Sequence, residues 1–415
     1  MNTLRTMISF DEALSLVLSN VPQGQVEEVS LFEATGRVLA GDAVSRVDSP
    51  LSDAALKDGY AVLSSDVAAA GPDHQVCLKL VSFRGAGDIA GRALEPGTAV
   101  RVTTGAVVPS GADAVLAQEF TREENKAVWC LNYAEQGRNI LPRGADVRAG
   151  EVVARRGERV SPALAGLLAS AGLDRLRVIS RPRVAIIATG DEVVEPGRPL
   201  GPGQLYASNM AETISWLQAF GLPELSYRVV KDKEDEIKAA IEKMSLQADA
   251  FITSGGAWRS ERDLLLQVLS DLGWRGIFHH VRLGPGKAVG FGLLEDKPFF
   301  VLSGGPSSFE TALLELVLPG LLAMAGWRGP LFPVFKVRLE EPIQGEKGWT
   351  QAVQARVTFK DSSFRARPYK TASRLFDMAR KDGIILLPEG RAGLAAGDET
   401  AVQMVSLPLL WSDRA

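Results

Sequence analysis

Val184-Ala185-Ile186-Ile187-Ala188-Thr189-Gly190-Asp191-Glu192 is the stretch whose reading sets the fold. Its apolar run does not alternate, which is the pattern of a strand buried on both faces of a parallel sheet. The run ends in a glycine-containing acidic loop, and the same order returns twice. Phe251-Ile252 leads into Thr253-Ser254-Gly255-Gly256, and Phe299-Phe300-Val301-Leu302 into Ser303-Gly304-Gly305-Pro306. In open α/β sheets, ligands bind outside the carboxyl ends of the strands. The three loops are therefore expected to face one crevice, offering backbone N–H groups to an anion and carboxylates to a metal or a proton.

Outward from these strands, 183–326 alternates strand and helix and predicts a doubly wound α/β domain. Asn209 with Glu212, Ser260 with Asp263 and Ser307 with Glu310 read as capping boxes at three helix starts. Ser9 with Glu12 is a fourth, and Ser161-Pro162 opens a helix ending at Gly172. From 49 to 143 the chain is rich in Gly, Pro and Val and reads as a small β-rich unit. After Gly329-Pro330, Phe335, Val337 and Leu339 alternate with Lys336, Arg338 and Glu340, so a separate β domain is expected at the carboxyl end.

A chain of 415 residues is too long for one ordinary core and predicts two to four domains. Hydrophobic content of 46% and charged content of 23% are those of a soluble globular protein. A net charge of −4 argues against a nucleic-acid surface. Cys77 and Cys130 have no metal-ligand spacing, which fits a reducing cytoplasm. Asp11 and Glu12 interrupt the amino-terminal apolar residues, so no signal peptide is expected. No run is expected to reach the ~18 apolar residues of a membrane span, since even 311–325 carries Glu315 and Pro319.

Taken alone, Ser254-Gly255-Gly256 reads first as a tight turn, and only together with a second such loop does it read equally as an anion site, where glycine lets a ligand approach the amides. Gly304-Gly305-Pro306-Ser307 repeats the arrangement. Asp191 and Glu192 suit a hard cation such as Mg²⁺, and equally suit solvated charges or a helix cap. Lys287, after Gly284-Pro285-Gly286, places a point charge for an oxyanion. Asp58-Gly59 reads first as a turn and Thr103-Thr104-Gly105 as a strand end. His279-His280 has no third ligand nearby, and no nucleophile motif, Walker loop or Rossmann fingerprint is present. The residues by themselves describe an anion-binding α/β domain with β-rich companions, and leave open whether its acids hold Mg²⁺ or are solvated.

These segments, in this order, resemble the MoeA family, the molybdopterin molybdenumtransferases that include the gephyrin E domain. Lys57-Asp58-Gly59-Tyr60-Ala61-Val62 looks like the DGYAV motif, and Thr103 to Ala106 with Gly111-Ala112-Asp113-Ala114-Val115 like TGA…GADAV. Thr189-Gly190-Asp191-Glu192 resembles TGDEL, Ser208-Asn209 the family's SN, Ser254-Gly255-Gly256 with Asp263 SGG…D, and Pro285-Gly286-Lys287 PGK. Ser373, Leu375 and 383–388 resemble the core of the final β domain.

The resemblance implies a MogA-like α/β domain (1–25 and 178–328), a linking domain (26–48 and 144–177), a β-rich inserted domain (49–143) and a C-terminal β-barrel-like domain (329–415). It implies a homodimer in which the β-rich unit of one subunit leans over the crevice of the other. The implied activity is insertion of molybdate, or tungstate, into adenylylated molybdopterin with release of AMP and with Mg²⁺ as cofactor. A MogA-type adenylyltransferase and recipient molybdoenzymes or their chaperones are the implied partners, with no nucleic acid and no membrane. Carried onto this chain, Asp58, Thr104, Glu192 and Asp263 would be catalytic, with Glu192 and Asp263 holding the metal. Asp191, Ser254, Gly255, Gly256, Lys287, Gly304, Gly305, Ser307 and Ser373 would bind the pterin substrate. Lys57, Trp258, Arg259, Gly284 and Ser303 depart from the family pattern, which leaves a second reading open: a paralogue that binds without turnover.

Overall fold

The computed structural model describes residues 4–88, 91–255, 264–369 and 375–406. The chain divides into two units, Met1–Val26 with Ile179–Ala415, and Glu27–Val178.

A seven-stranded sheet organises the first unit. In chain order its strands are β1 (Arg5–Ile8), β2 (Val184–Thr189), β3 (Leu225–Val230), β4 (Ala250–Ser254), β5 (Arg275–Val281), β6 (Val289–Leu294) and β7 (Lys297–Leu302). Their spatial order is β1-β5-β6-β7-β4-β2-β3. β7, β4, β2 and β3 are mutually parallel, as the unbroken apolar runs predict. β6 is antiparallel to both neighbours, so the sheet is mixed rather than parallel throughout. The cause is local. Glu295 and Asp296 both take positive φ, 51° and 62°, making a two-residue hairpin that leaves no room for a crossover helix.

Alternate residues of the central strands point to opposite faces, and helices cover both. Ile186, Ile252 and Phe300 pack with Val17 of the helix Phe10–Asn20, Leu217 of Ser208–Ala219 and Phe309. Ile187, Phe251 and Val301 pack with Ile241 of Glu234–Ser245 and Leu269 of Leu264–Asp271. Phe251 and Phe299 stack at 5.0 Å between centroids on that second face.

Of the expected capping boxes, the one at Ser9 has its serine bond, and the helix start expected at Ser161 is capped by its serine in the same way. The Glu12 N–H donates to Ser9 Oγ at 3.1 Å, and the Leu164 N–H donates to Ser161 Oγ at 3.1 Å. Two others are corrected. The helix Ser208–Ala219 has Ala207 at its cap with no side-chain bond, because Asn209 is drawn to the sheet edge. The helix starting at Pro306 is preceded by Gly305, and Glu310 is buried against Lys381 instead of capping Ser307. The Ser260–Asp263 pair lies outside the described residues.

Among the described residues one helix, Pro306–Met324, is long and apolar enough to cross a membrane, contrary to the sequence expectation, and 83% of its apolar window is buried in the fold. It passes Pro319 without breaking because Leu313–Val317 widens into a π turn, the Leu318 N–H reaching Leu313 O. Pro319 has no N–H to return to Glu315, so the wider turn absorbs the mismatch.

The carboxyl-terminal strands, among them Val334–Leu339, Thr350–Lys360 and Glu399–Met404, join a six-stranded sheet with its own core of Val337, Ala355, Ile385 and Val402. In the second unit, Gly59–Val62, Val76–Arg84, Thr98–Val102, Ala114–Ala117, Thr121–Glu124 and Ala127–Cys130 form another six-stranded sheet. A separate cluster around Leu39, Val147, Leu168 and Val178 packs the helix Pro162–Ser170.

Candidate functional site

The register of the central strands brings the three loops to one edge. Ala188 lies opposite Ser254, and Ser254 opposite Leu302, so the chain leaves β2, β4 and β7 on three neighbouring strands at the same level. Gly255 makes the closest approach. Its φ is +104°, and a Cβ there would stand 2.5 Å from Thr189 O and 2.7 Å from Thr189 Oγ1. No other residue fits without moving backbone. The Gly255 N–H donates to Leu302 O at 3.1 Å, so this amide holds the loops together and is not left for an anion. Asn209 adds two further ties, its Nδ2 donating to Ser254 Oγ and to Gly304 O, each at 3.0 Å.

Among the described residues, three polar atoms at this edge are buried without a hydrogen-bond partner: Thr189 Oγ1, Asn209 Oδ1 and Ser303 Oγ. A buried unpaired polar atom costs on the order of 1–3 kcal/mol, so three on adjacent segments mark a place built to receive polar groups. Beside them Gly304 and Gly305 are exposed, with open space where each Cβ would stand. The helix that follows has no side-chain cap, so the N–H groups of its first turn, which includes Ser307, lack intrahelical partners and face the positive dipole end outward.

The acids flank this edge. Asp191 and Glu192 are exposed after Gly190, where a Cβ would meet Glu192 Oε2 at 2.8 Å. Lys231 Nζ donates to Asp191 O at 2.6 Å, pinning the loop. The Asp232 carboxyl is pushed up by burial first and then by the charges of Asp191 and Glu192, a sign that negative charge is concentrated here. Among the described residues no three His, Cys, Asp or Glu side chains form a ligand cluster. Mg²⁺ does not require one, since it commonly takes one or two carboxylates and completes its shell with water and substrate phosphate. The pair Asp191 and Glu192 fits that use.

Lys287 leaves the same edge. It follows β5, its carbonyl accepts the Val281 N–H at 3.0 Å, and β6 then starts with Val289 opposite Leu302. Its Nζ stands 5.6 Å from the centroid of the Trp349 ring, a cation–π contact that holds the charge in place. Gly256, Asp263 and Ser373 lie outside the described residues, as do Trp258 and Arg259.

Asp58 and Thr104 meet in the second unit. The Thr104 N–H and Thr104 Oγ1 both donate to Asp58 Oδ1, at 2.6 and 2.9 Å, and these bonds hold the carboxyl below its usual range. Both residues are exposed, and Lys57 beside them is exposed as well. Gly59 is required next in the chain, because a Cβ there would stand 2.1 Å from Leu116 O.

Sequence reading did not single out Thr189, Asn209 and Ser303 as a set. Asn209 followed by Glu212 carries the signature of a cap, and nothing local reports that its side chain turns toward Ser254 45 residues away. The available signals were the position of Thr189 and Ser303 directly after apolar runs and the Ser208-Asn209 pair that resembles the family's SN.

Comparison with known proteins agrees with this geometry. Residues 8–172 match the MoeA N-terminal region (domain I and II), 185–323 a "Probable molybdopterin binding domain", and 336–405 the MoeA C-terminal region (domain IV). The molybdopterin molybdenumtransferase of Bacillus subtilis is 31% identical over 97% of this chain and 95% of its own length. That of a Nostoc species is 30% identical over 97% and 94%. The crystal structure of the molybdopterin biosynthesis MoeA protein from Pyrococcus horikosii superposes with a TM-score of 0.79 at 30% identity, covering 97% of this chain and all of that one. With relatives this similar along nearly its whole length, the chain belongs to the MoeA family of molybdopterin molybdenumtransferases.

Proposed function

We propose that the edge formed by Thr189, Ser254, Ser303 and Gly304-Gly305 binds adenylylated molybdopterin, and that the protein inserts molybdate into it with release of AMP in molybdenum cofactor biosynthesis. The observation that carries this reading is the coincidence of three buried, unpartnered polar atoms with an uncapped helix start on one sheet edge. A substrate rich in phosphate, ring N–H and carbonyl groups satisfies both: hydroxyls and the Asn209 carbonyl take ring polar groups, while helix amides take phosphate oxygens.

In this reading Asn209 sets the spacing between the β4 and β7 loops, and Lys287 offsets phosphate charge. Asp58, fixed by two bonds from one threonine, is an ionised acceptor held in a single orientation, suited to positioning the group under attack. Glu192 with Asp191 would hold Mg²⁺, which when bound supplies positive charge to the phosphates. Asp263 is assigned to the same metal. The functional form is taken as a cytoplasmic homodimer of four-domain subunits that receives substrate from a MogA-type adenylyltransferase and passes cofactor to apo-molybdoenzymes or their chaperones.

The test is incubation of the purified protein with adenylylated molybdopterin, Mg²⁺ and either molybdate or tungstate. AMP release that depends on the oxyanion and stops with EDTA is expected. Tight substrate binding without AMP release would instead assign the chain a carrier role.

A further inference from the structure

Away from the loop edge, a cavity of about 430 Å³ opens between the helix Phe10–Asn20, the helix Pro306–Met324 and the strand Glu399–Met404. Its walls are mostly apolar: Leu14, Leu18, Pro319, Trp327 and Phe332. Phe332 is held by edge contacts with Trp216 at 5.8 Å and Phe220 at 5.5 Å between centroids. Into this lining the π turn delivers Glu315, only 6% exposed. Among the described residues, Glu315 Oε1 has no hydrogen-bond partner, and Oε2 receives only a long bond from Gln403 Nε2 at 3.5 Å. Gln403 Oε1, also in the lining, is buried without a partner too.

Two unpartnered acceptors therefore border a largely apolar, partly open cavity. We propose that this cavity binds a small organic ammonium ion, a primary amine carried on an apolar body. A buried carboxylate calls for a cation and further hydrogen bonds. Three ammonium protons match Glu315 Oε1, Gln403 Oε1 and a water, aromatic faces favour a cation beside them, and apolar walls take the remainder. The volume lies in the range of small-ligand sites. Burial pushes the Glu315 carboxyl up to about 7, so at pH 8 the carboxylate is available to the amine. The other charged residue of the lining, Arg328, is exposed at the rim.

Calorimetric titration of the full chain with 2-phenylethylammonium at pH 8 tests this, with 3-phenylpropionate as the anionic control. Saturable one-site binding below about 1 mM is expected, at least about tenfold weaker in Glu315→Gln and absent in Leu18→Trp, which fills the cavity. The anion should not bind. Undetectable binding, equal affinity in Glu315→Gln, or equal binding of the anion would overturn the proposal. So would amine binding that appears only in Arg328→Ala, because Arg328 would then be the native partner of Glu315.

Discussion

Asn209 Nδ2 stands 3.0 Å from Ser254 Oγ, joining the first turn of one helix to the end of a strand across the crevice. The same amide reaches Gly304 O at 3.0 Å, so one side chain sets the separation of the β4 and β7 loops. Its own carbonyl is left buried and unpaired. A group that gives both its donor hydrogens to structure and keeps its acceptor free is placed to report on what enters the pocket.

Asn209→Ala removes two bonds to buried or part-buried partners and should lower stability by about 1–3 kcal/mol. Substrate affinity should fall more than that loss explains, because the β4 and β7 loops lose their spacer. Urea unfolding and substrate titration on the same sample separate the two effects. Unchanged affinity would remove Asn209 from the site.

Asp58→Ala should reduce AMP release by on the order of 10²-fold or more with little effect on the melting temperature. The side chain is exposed and, among the described residues, bonds only to Thr104, so folding does not depend on it. Thr104→Val, which leaves the backbone donor, should cause a smaller loss. Wild-type turnover in Asp58→Ala would refute its role.

Gly255→Ala should destabilise the first unit by roughly 2 kcal/mol or more, since the new methyl meets Thr189 O at 2.5 Å on a backbone with φ of +104°. Gly304→Ala, with open space around it, should fold normally. Comparable melting temperatures for the two variants would contradict the close packing of the loops.

Glu315 supplies a pH dependence with a definite sign. Its folded pKa of about 7 lies above the ordinary glutamate value of 4.5, because burial disfavours the charged form, so the folded state prefers the protonated form. That stabilising preference is complete below pH 4.5 and is lost as pH rises through 7. Glu315→Gln should therefore change little at pH 5 and stabilise the protein at pH 8, by on the order of 3 kcal/mol. Equal melting temperatures for the two proteins at pH 8 would show that Glu315 is paired or solvated.

How much was legible beforehand follows from what each feature depends on. The strands at 184, 251 and 299 were readable because burial on both faces demands apolar residues in succession, a requirement written locally. The caps at Ser9 and Ser161 were readable for the same reason, since partner and donor are three residues apart. The motif series, in register along the chain, carried the family.

Other features were hidden because their causes are distant in sequence. The Asn209 and Ser307 capping patterns looked no different from the genuine ones, and only the approach of Ser254 and Lys381 shows where Asn209 and Glu310 turn. The Gly255 amide was available to an anion on paper, and Leu302 takes it in space. The order of residues by itself determined which strands exist, which edge of the sheet they open toward and which family they belong to. Tertiary structure alone decided which polar atoms at that edge stay unpaired and that Glu315 ends beside Gln403, because hydrogen-bond satisfaction and desolvation are settled between segments far apart in the chain.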